Sequence, residues 1–249
     1  MTDAATLLSY DNSPYPVREG IEAAHKRTWR RIAEPGTWLE GPTRIAIAAE
    51  TRNAPGCQLC EERKFALSPY TVDGNHDSLG HLPEVMVEMI HRIVSDPGRL
   101  TESWLASLYE AGMEDTEYVE TLGVISNVMS VDTFARALGI QRPELPEPVA
   151  GEPSRRRPAE AKIGPGWVPT IAPKDASPEN ADIYALARAN VRQGMSLVPD
   201  EVRGFFDLAN EQYLNGTQIA DLEGDFRSIS RLQIELLATR VSALNGCFF

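Results

Sequence analysis

The residues of this chain best suited to chemistry are its three cysteines: Cys57 and Cys60, spaced as a CxxC, and Cys247. Both stations use one device. An apolar, alanine-containing segment (43–55 and 231–245) stops at a glycine, Gly56 or Gly246, and a cysteine follows at once. If a helix starts at the cysteine, its sulfur lies among unpaired amide donors and at the positive end of the helix dipole. That setting favours the thiolate, the form that acts as nucleophile. The repeat of one device predicts two related helical units. A second chemistry also fits the first station. Cys57-x2-Cys60, then fifteen residues, then His76-x4-His81 has the spacing of a Cys2His2 zinc site. The intervening sequence lacks the compact hairpin of a zinc finger, and a large helical core needs no metal to fold, so redox chemistry leads and no metal is assigned. His25 and His91 read as ordinary helix residues. Asp200-Glu201 and Glu114-Asp115 read as helix-start carboxylates. No phosphate loop, dinucleotide glycine fingerprint or serine-nucleophile elbow is present.

The elements that must position these groups read as helices. Pro42 suits the first turn of a helix over 43–54, which Pro55-Gly56 breaks. Pro83 opens an apolar helix to Val94 bearing Val85, Val87 and Ile90. Thr101 is an N-cap for a helix ended by Gly112, and Asp115 or Thr116 caps a longer one ended by Gly139, with Leu122, Ile125 and Met129 on one face. Pro199 opens a helix through Phe205, Phe206 and Leu208. Ser230 with Gln233 makes a capping box for a last helix bearing Leu232, Ile234, Leu237, Val241 and Leu244. Alternating strands are absent. Between Pro143 and Pro178 fall nine of the 18 prolines, which forbids regular helix there and predicts an extended linker anchored at Trp167 and Val168.

Composition bounds the function. The 42% hydrophobic content can fill a core, and the formal net charge of -12 argues against nucleic acid as a partner, since phosphate backbones demand excess Lys and Arg. The cluster Arg155-Arg156-Arg157 reads as a solvated linker feature. No apolar run approaches the roughly 20 residues of a membrane helix, and the N-terminal segment has no basic region leading into an apolar one, so neither a membrane nor a secretory signal is expected. An odd cysteine count with a CxxC does not make a disulfide framework; the expected compartment is the cytoplasm.

The stretch from Ile234 through Glu235 to Ser242-Ala243-Leu244-Asn245-Gly246-Cys247 resembles the active-site helix of the alkylhydroperoxidase AhpD-like / carboxymuconolactone decarboxylase family. In that family a glutamate twelve residues before the first cysteine, a CxxC and a histidine four residues after the second make a thiol site with a proton relay. Glu235 holds the glutamate position relative to Cys247. Weaker similarity reaches back to Val198-Pro199-Asp200-Glu201, and residues 18–140 are more loosely similar, chiefly over 111–140. At the first station the relay positions hold Ile45 and Lys64, and the sequence leaves open which of Glu50, Glu61, Lys64 or His76 substitutes. At the second, the sequence stops after Cys247-Phe248-Phe249, one residue short of the resolving cysteine. One expectation is that a codon at position 250 is read as selenocysteine; a frameshift, a fragment or a degenerate domain are the others.

The expected architecture is therefore all-α: an AhpD-like helical module over 1–142 with the CxxC, a proline-rich linker over 143–180, and a truncated AhpD-like module over 181–249. The resemblance implies a thiol-dependent peroxidase or thiol–disulfide oxidoreductase with Cys247, Glu235, Cys57 and Cys60 as catalytic residues. It implies no organic cofactor, a peroxide or disulfide substrate, a thiol reductant, and a homo-oligomer. The alternative is a non-catalytic helical assembly module with a structural zinc at Cys57, Cys60, His76 and His81.

Overall fold

Ile21, Ala24, His25, Thr28, Trp29 and Ile32 recur at spacings of three and four, and they form the buried stripe of α1 (Glu19–Ala33). In this computed structural model, which describes residues 8–164, 166–185 and 190–247, that stripe lies against α2 (Gly41–Asn53), whose first turn takes Pro42 as expected. Phe248 and Phe249, which follow Cys247, lie outside the described residues, as does Pro165 of the linker. A 3-10 turn at Ala54–Gly56 ends α2, and α3 (Gln58–Phe65) follows directly. After an irregular stretch come α4 (Glu84–Ser95), α5 (Glu102–Glu110) and the 23-residue α6 (Asp115–Ala137).

Local chemistry sets these boundaries. The Thr101 hydroxyl accepts the Trp104 amide at 3.2 Å and starts α5. Gly112 and Gly139, at φ of +97° and +70°, supply the left-handed residues that close α5 and α6. The N-cap of α6 is Glu114, ahead of the expected Asp115 or Thr116, in a capping box with Glu117. The buried face of α6 is Val124, Ile125, Val128 and Val131, so Ile125 is core as expected, while Met129 is 40% exposed. Helices α1, α2, α4 and α6 enclose one core of Trp29, Ile32, Ile47, Met89, Ile90 and Val128. Each such side chain contributes about 1.5–3 kcal/mol by leaving water.

The proline-rich stretch is extended and docked. The Trp29 indole donates to the Glu144 carbonyl at 2.7 Å, and the amides of Val149 and Arg155 donate to the carbonyls of Ala33 and Thr37 at 2.8 and 2.7 Å. Val168 packs on the core, whereas Trp167 stays 46% exposed. A two-residue antiparallel pair, β1 (Lys162–Ile163) with β2 (Pro169–Thr170), is the only sheet among the described residues.

Beyond it lie α7 (Asn190–Gly194), α8 (Pro199–Gln212), α9 (Gly216–Ala220) and α10 (Arg231–Leu244). Helix α8 packs on α1 and α6 through a buried charge network. Arg44 donates to Glu120 and, at 2.9 Å, to Glu201, while Arg31 donates to Glu201 at 2.8 Å. Glu201 is thus a core ion-pair residue rather than a solvated helix-start carboxylate: the Arg44 guanidinium beneath α8 needs its charge. Helix α10 starts at the expected Ser230–Gln233 capping box, yet it leaves Leu232, Leu236, Leu237, Val241 and Leu244 exposed. The fold is all-α, and among the described residues no helix is long and apolar enough to cross a membrane.

Candidate functional site

The break after α2 puts Cys57 at the N-cap of α3, with Cys60 in its first turn. The Asp77 carboxylate accepts the Gln58 amide at 2.8 Å and so supplies the cap that a cysteine supplies poorly, while the Asp77 amide donates to Cys57 Sγ at 3.4 Å. At the other end of α3, Arg99 donates to the carbonyls of Ala66, Arg63 and Lys64 at 2.8, 2.8 and 3.1 Å. The irregular stretch between α3 and α4 delivers His76, and α4 delivers Glu88 and His91.

Four ligating atoms meet there. His76 Nδ1 lies 3.5 Å from both Cys57 Sγ and Cys60 Sγ, and His91 Nδ1 lies 3.3 Å from Cys60 Sγ. All four side-chain donor atoms fall within 4.8 Å of one another, the only group of this kind among the described residues. Each imidazole has its far nitrogen on a carboxylate: His76 Nε2 is 2.8 Å from Glu88 Oε2, and His91 Nε2 is 2.8 Å from Glu50 Oε1. Those carboxylates are held in turn. Arg63 and the Trp104 indole donate to Glu88 at 2.8 and 3.1 Å, while Asn53 and the Leu79 amide donate to Glu50, both at 3.0 Å. Carboxylate partners orient each ring with Nε2 on the carboxylate and Nδ1 facing sulfur.

The electrostatics divide the two rings. Burial opposes charge on His76, but hydrogen bonds to Cys60, Glu88 and Cys57 push its pKa up to about 10. Burial lowers the pKa of His91; Glu50 pulls it the other way, and the charge on His76 leaves it below the ordinary value. Burial also works against a Cys57 thiolate, yet the amides of Asp77 and Cys60 and the His76 ring outweigh it and hold the thiol below its ordinary value. Glu88, despite burial, is held at about 2 by His76 and Arg63. The site can therefore carry a thiolate beside an imidazolium, with a neutral imidazole facing the second sulfur.

Of the expected site residues, Cys57 and Cys60 lie together, 2% and 4% exposed. Among the candidate relay partners, Glu50 and His76 are in the cluster, whereas Lys64 and Glu61 are exposed and outside it. His81 is exposed and outside it; the fourth member is His91, a residue read from sequence as an ordinary helix position. A signal for it existed, because Glu88-x2-His91 puts carboxylate and imidazole on one face of α4. At the second station, Glu235 accepts the Tyr213 hydroxyl at 2.6 Å and pairs with Arg231 at 3.0 Å. Cys247 is exposed beyond Gly246, and the rise of α10 separates it from Glu235 by on the order of 15 Å. The two are not brought into one site. In comparisons with family models, with curated proteins and with solved structures, the chain finds no match.

Proposed function

We propose that the chain is a thiol–disulfide redox protein working through Cys57 and Cys60, of the peroxidase or oxidoreductase kind that the AhpD-like resemblance implies. One observation carries the reading: two carboxylate–imidazole pairs, Glu88–His76 and Glu50–His91, converge on the two sulfurs of a CxxC at a helix start. Such pairs take and return protons while sulfur changes oxidation state.

The Cys57 thiolate attacks one oxygen of a peroxide, the O–O bond breaks, and Cys57 becomes a sulfenic acid. The alcohol or water leaves with the proton of His76. Cys60, deprotonated by His91, attacks the Cys57 sulfur and forms the disulfide, and hydroxide leaves as water with that proton. Two electrons pass from the two sulfurs to the peroxide, and an external dithiol restores both thiols by exchange. The same pair exchanges with a disulfide substrate without the peroxide step. A cytoplasmic, homo-oligomeric protein with no organic cofactor belongs to this reading. This reading places no step on Cys247 or Glu235.

The test is dithiol-dependent reduction of hydrogen peroxide by the purified chain, followed with Cys57→Ser, Cys60→Ser and Cys247→Ser. Turnover abolished by the first two and untouched by the third is expected; turnover surviving Cys57→Ser removes the reading.

A further inference from the structure

We infer that the reduced Cys57–Cys60 pair, together with His76 and His91, is a closed tetrahedral zinc(II) site. It uses the site of the redox reading and requires the dithiol that reading supplies. Three observations carry it. The first is spacing. Zinc holds sulfur at about 2.3 Å and nitrogen at about 2.0–2.1 Å, so a tetrahedral ion sets sulfur and nitrogen about 3.5 Å apart. Three of the four sulfur–nitrogen separations here are 3.5, 3.5 and 3.3 Å, and all four donor atoms lie within 4.8 Å of one another. The second is orientation. Both rings turn Nδ1 inward and give Nε2 to a carboxylate, Glu88 or Glu50, the arrangement that fixes metal-ligating histidines.

The third is what the surrounding chain lacks. Among the described residues, the only apolar cluster under α3 and the stretch that follows it is Cys57, Leu59 and Cys60 with Val72. Residues 66–83 carry no regular element beyond the 3-10 turn Pro69–Thr71, and most are exposed. So small a core leaves the segment dependent on a cross-link, and a metal joining α3, the His76 stretch and α4 is one. Two thiolates and two imidazoles select zinc over hard cations that prefer oxygen. With four protein donors no coordination position remains for water, so the ion is structural rather than a Lewis acid.

Zinc binding and oxidation exclude each other at these two sulfurs. Hydrogen peroxide takes two electrons from the two bound sulfurs and, with two protons, leaves as two waters. The disulfide no longer ligates, and zinc departs as the divalent ion.

The experiment uses the whole chain, expressed with zinc and purified without chelator. Elemental analysis should give one zinc per chain, and cobalt(II) substituted for it should show tetrahedral d–d bands with a thiolate charge-transfer band. Zinc should be lost in His91→Ala and kept in His81→Ala. Glu50→Gln, which keeps the shape of the site, should weaken zinc binding by about 10–100-fold. No zinc, with no tetrahedral cobalt spectrum from the reduced chain, overturns the inference, as does zinc retained in His91→Ala. A zinc-loaded chain whose thiols resist peroxide after chelation sustains the zinc site and removes the redox reading. A chain that binds neither ion yet forms the Cys57–Cys60 disulfide does the reverse.

Discussion

Glu50 Oε1 and His91 Nε2 lie 2.8 Å apart, both side chains out of contact with solvent, on helices whose partners in this pair are 41 residues apart in sequence. This contact ties the last turns of α2 to α4 beneath the cysteine pair and aims His91 at Cys60. Glu50 is held below its ordinary pKa: burial opposes its charge, and hydrogen bonds from His91 and Asn53 and the Leu79 amide overcome that. Replacing it by alanine leaves a buried imidazole without its acceptor. We expect Glu50→Ala to lower the unfolding free energy by about 1–3 kcal/mol, measured by urea denaturation of the metal-free chain. Glu50→Gln, which can still accept a hydrogen bond from the ring, should lie well below that.

Arg44 is 1% exposed and serves Glu120 and Glu201 together. Arg44→Met leaves two buried carboxylates facing each other across α6 and α8, with only Arg31 to offset one of them. A loss of about 3–5 kcal/mol is expected. Hydrogen exchange should quicken in α8 before it quickens in α4, and equal quickening throughout would contradict this network's role in seating α8.

Acid should destabilise the fold through His25. This ring is buried between the Tyr10 hydroxyl on Nδ1 and Gln212 at 2.9 Å from Nε2, and burial lowers its pKa from 6.5 to about 4. The unfolded chain takes up the proton first, so stability is full above pH 6.5 and falls as the pH drops toward 4, below which the slope ends. The full span corresponds to about 3 kcal/mol, at about 1.4 kcal/mol for each unit of difference. In His25→Gln the urea midpoint should show a shallower fall between those pH values; an unchanged slope assigns acid sensitivity elsewhere.

Thiol accessibility should separate the stations. Cys247 is exposed, while Cys57 and Cys60 are buried. Brief treatment of the native reduced chain with iodoacetamide should label Cys247 first, read by peptide mass mapping, and all three only after unfolding. Native labelling of Cys60 as fast as Cys247 would contradict the burial of the pair.

Local signals in the sequence read the helices well. Thr101, Gly112, Gly139 and the Ser230–Gln233 box act as caps and stops because capping depends on a few adjacent residues. The CxxC at a helix start was legible for the same reason. The fourth member of its cluster was not. His91 joins it from across 31 residues, and His81 stands at a more familiar spacing, but it is the packing of α4 on α2 that decides which ring reaches the sulfurs. Glu201 was hidden in the same way, since only its burial against Arg44 distinguishes it from a helix-start carboxylate. Helix α10 shows the converse: its apolar pattern was plain, and the described residues leave most of that face uncovered.

The most direct measurement is peptide mapping of the reduced, chelator-treated chain after one equivalent of hydrogen peroxide. The account predicts an intramolecular disulfide joining Cys57 to Cys60, with the loss of two hydrogens and full reversal by dithiothreitol. Cys57 and Cys60 recovered as free thiols, with oxidation confined to Cys247, would contradict it.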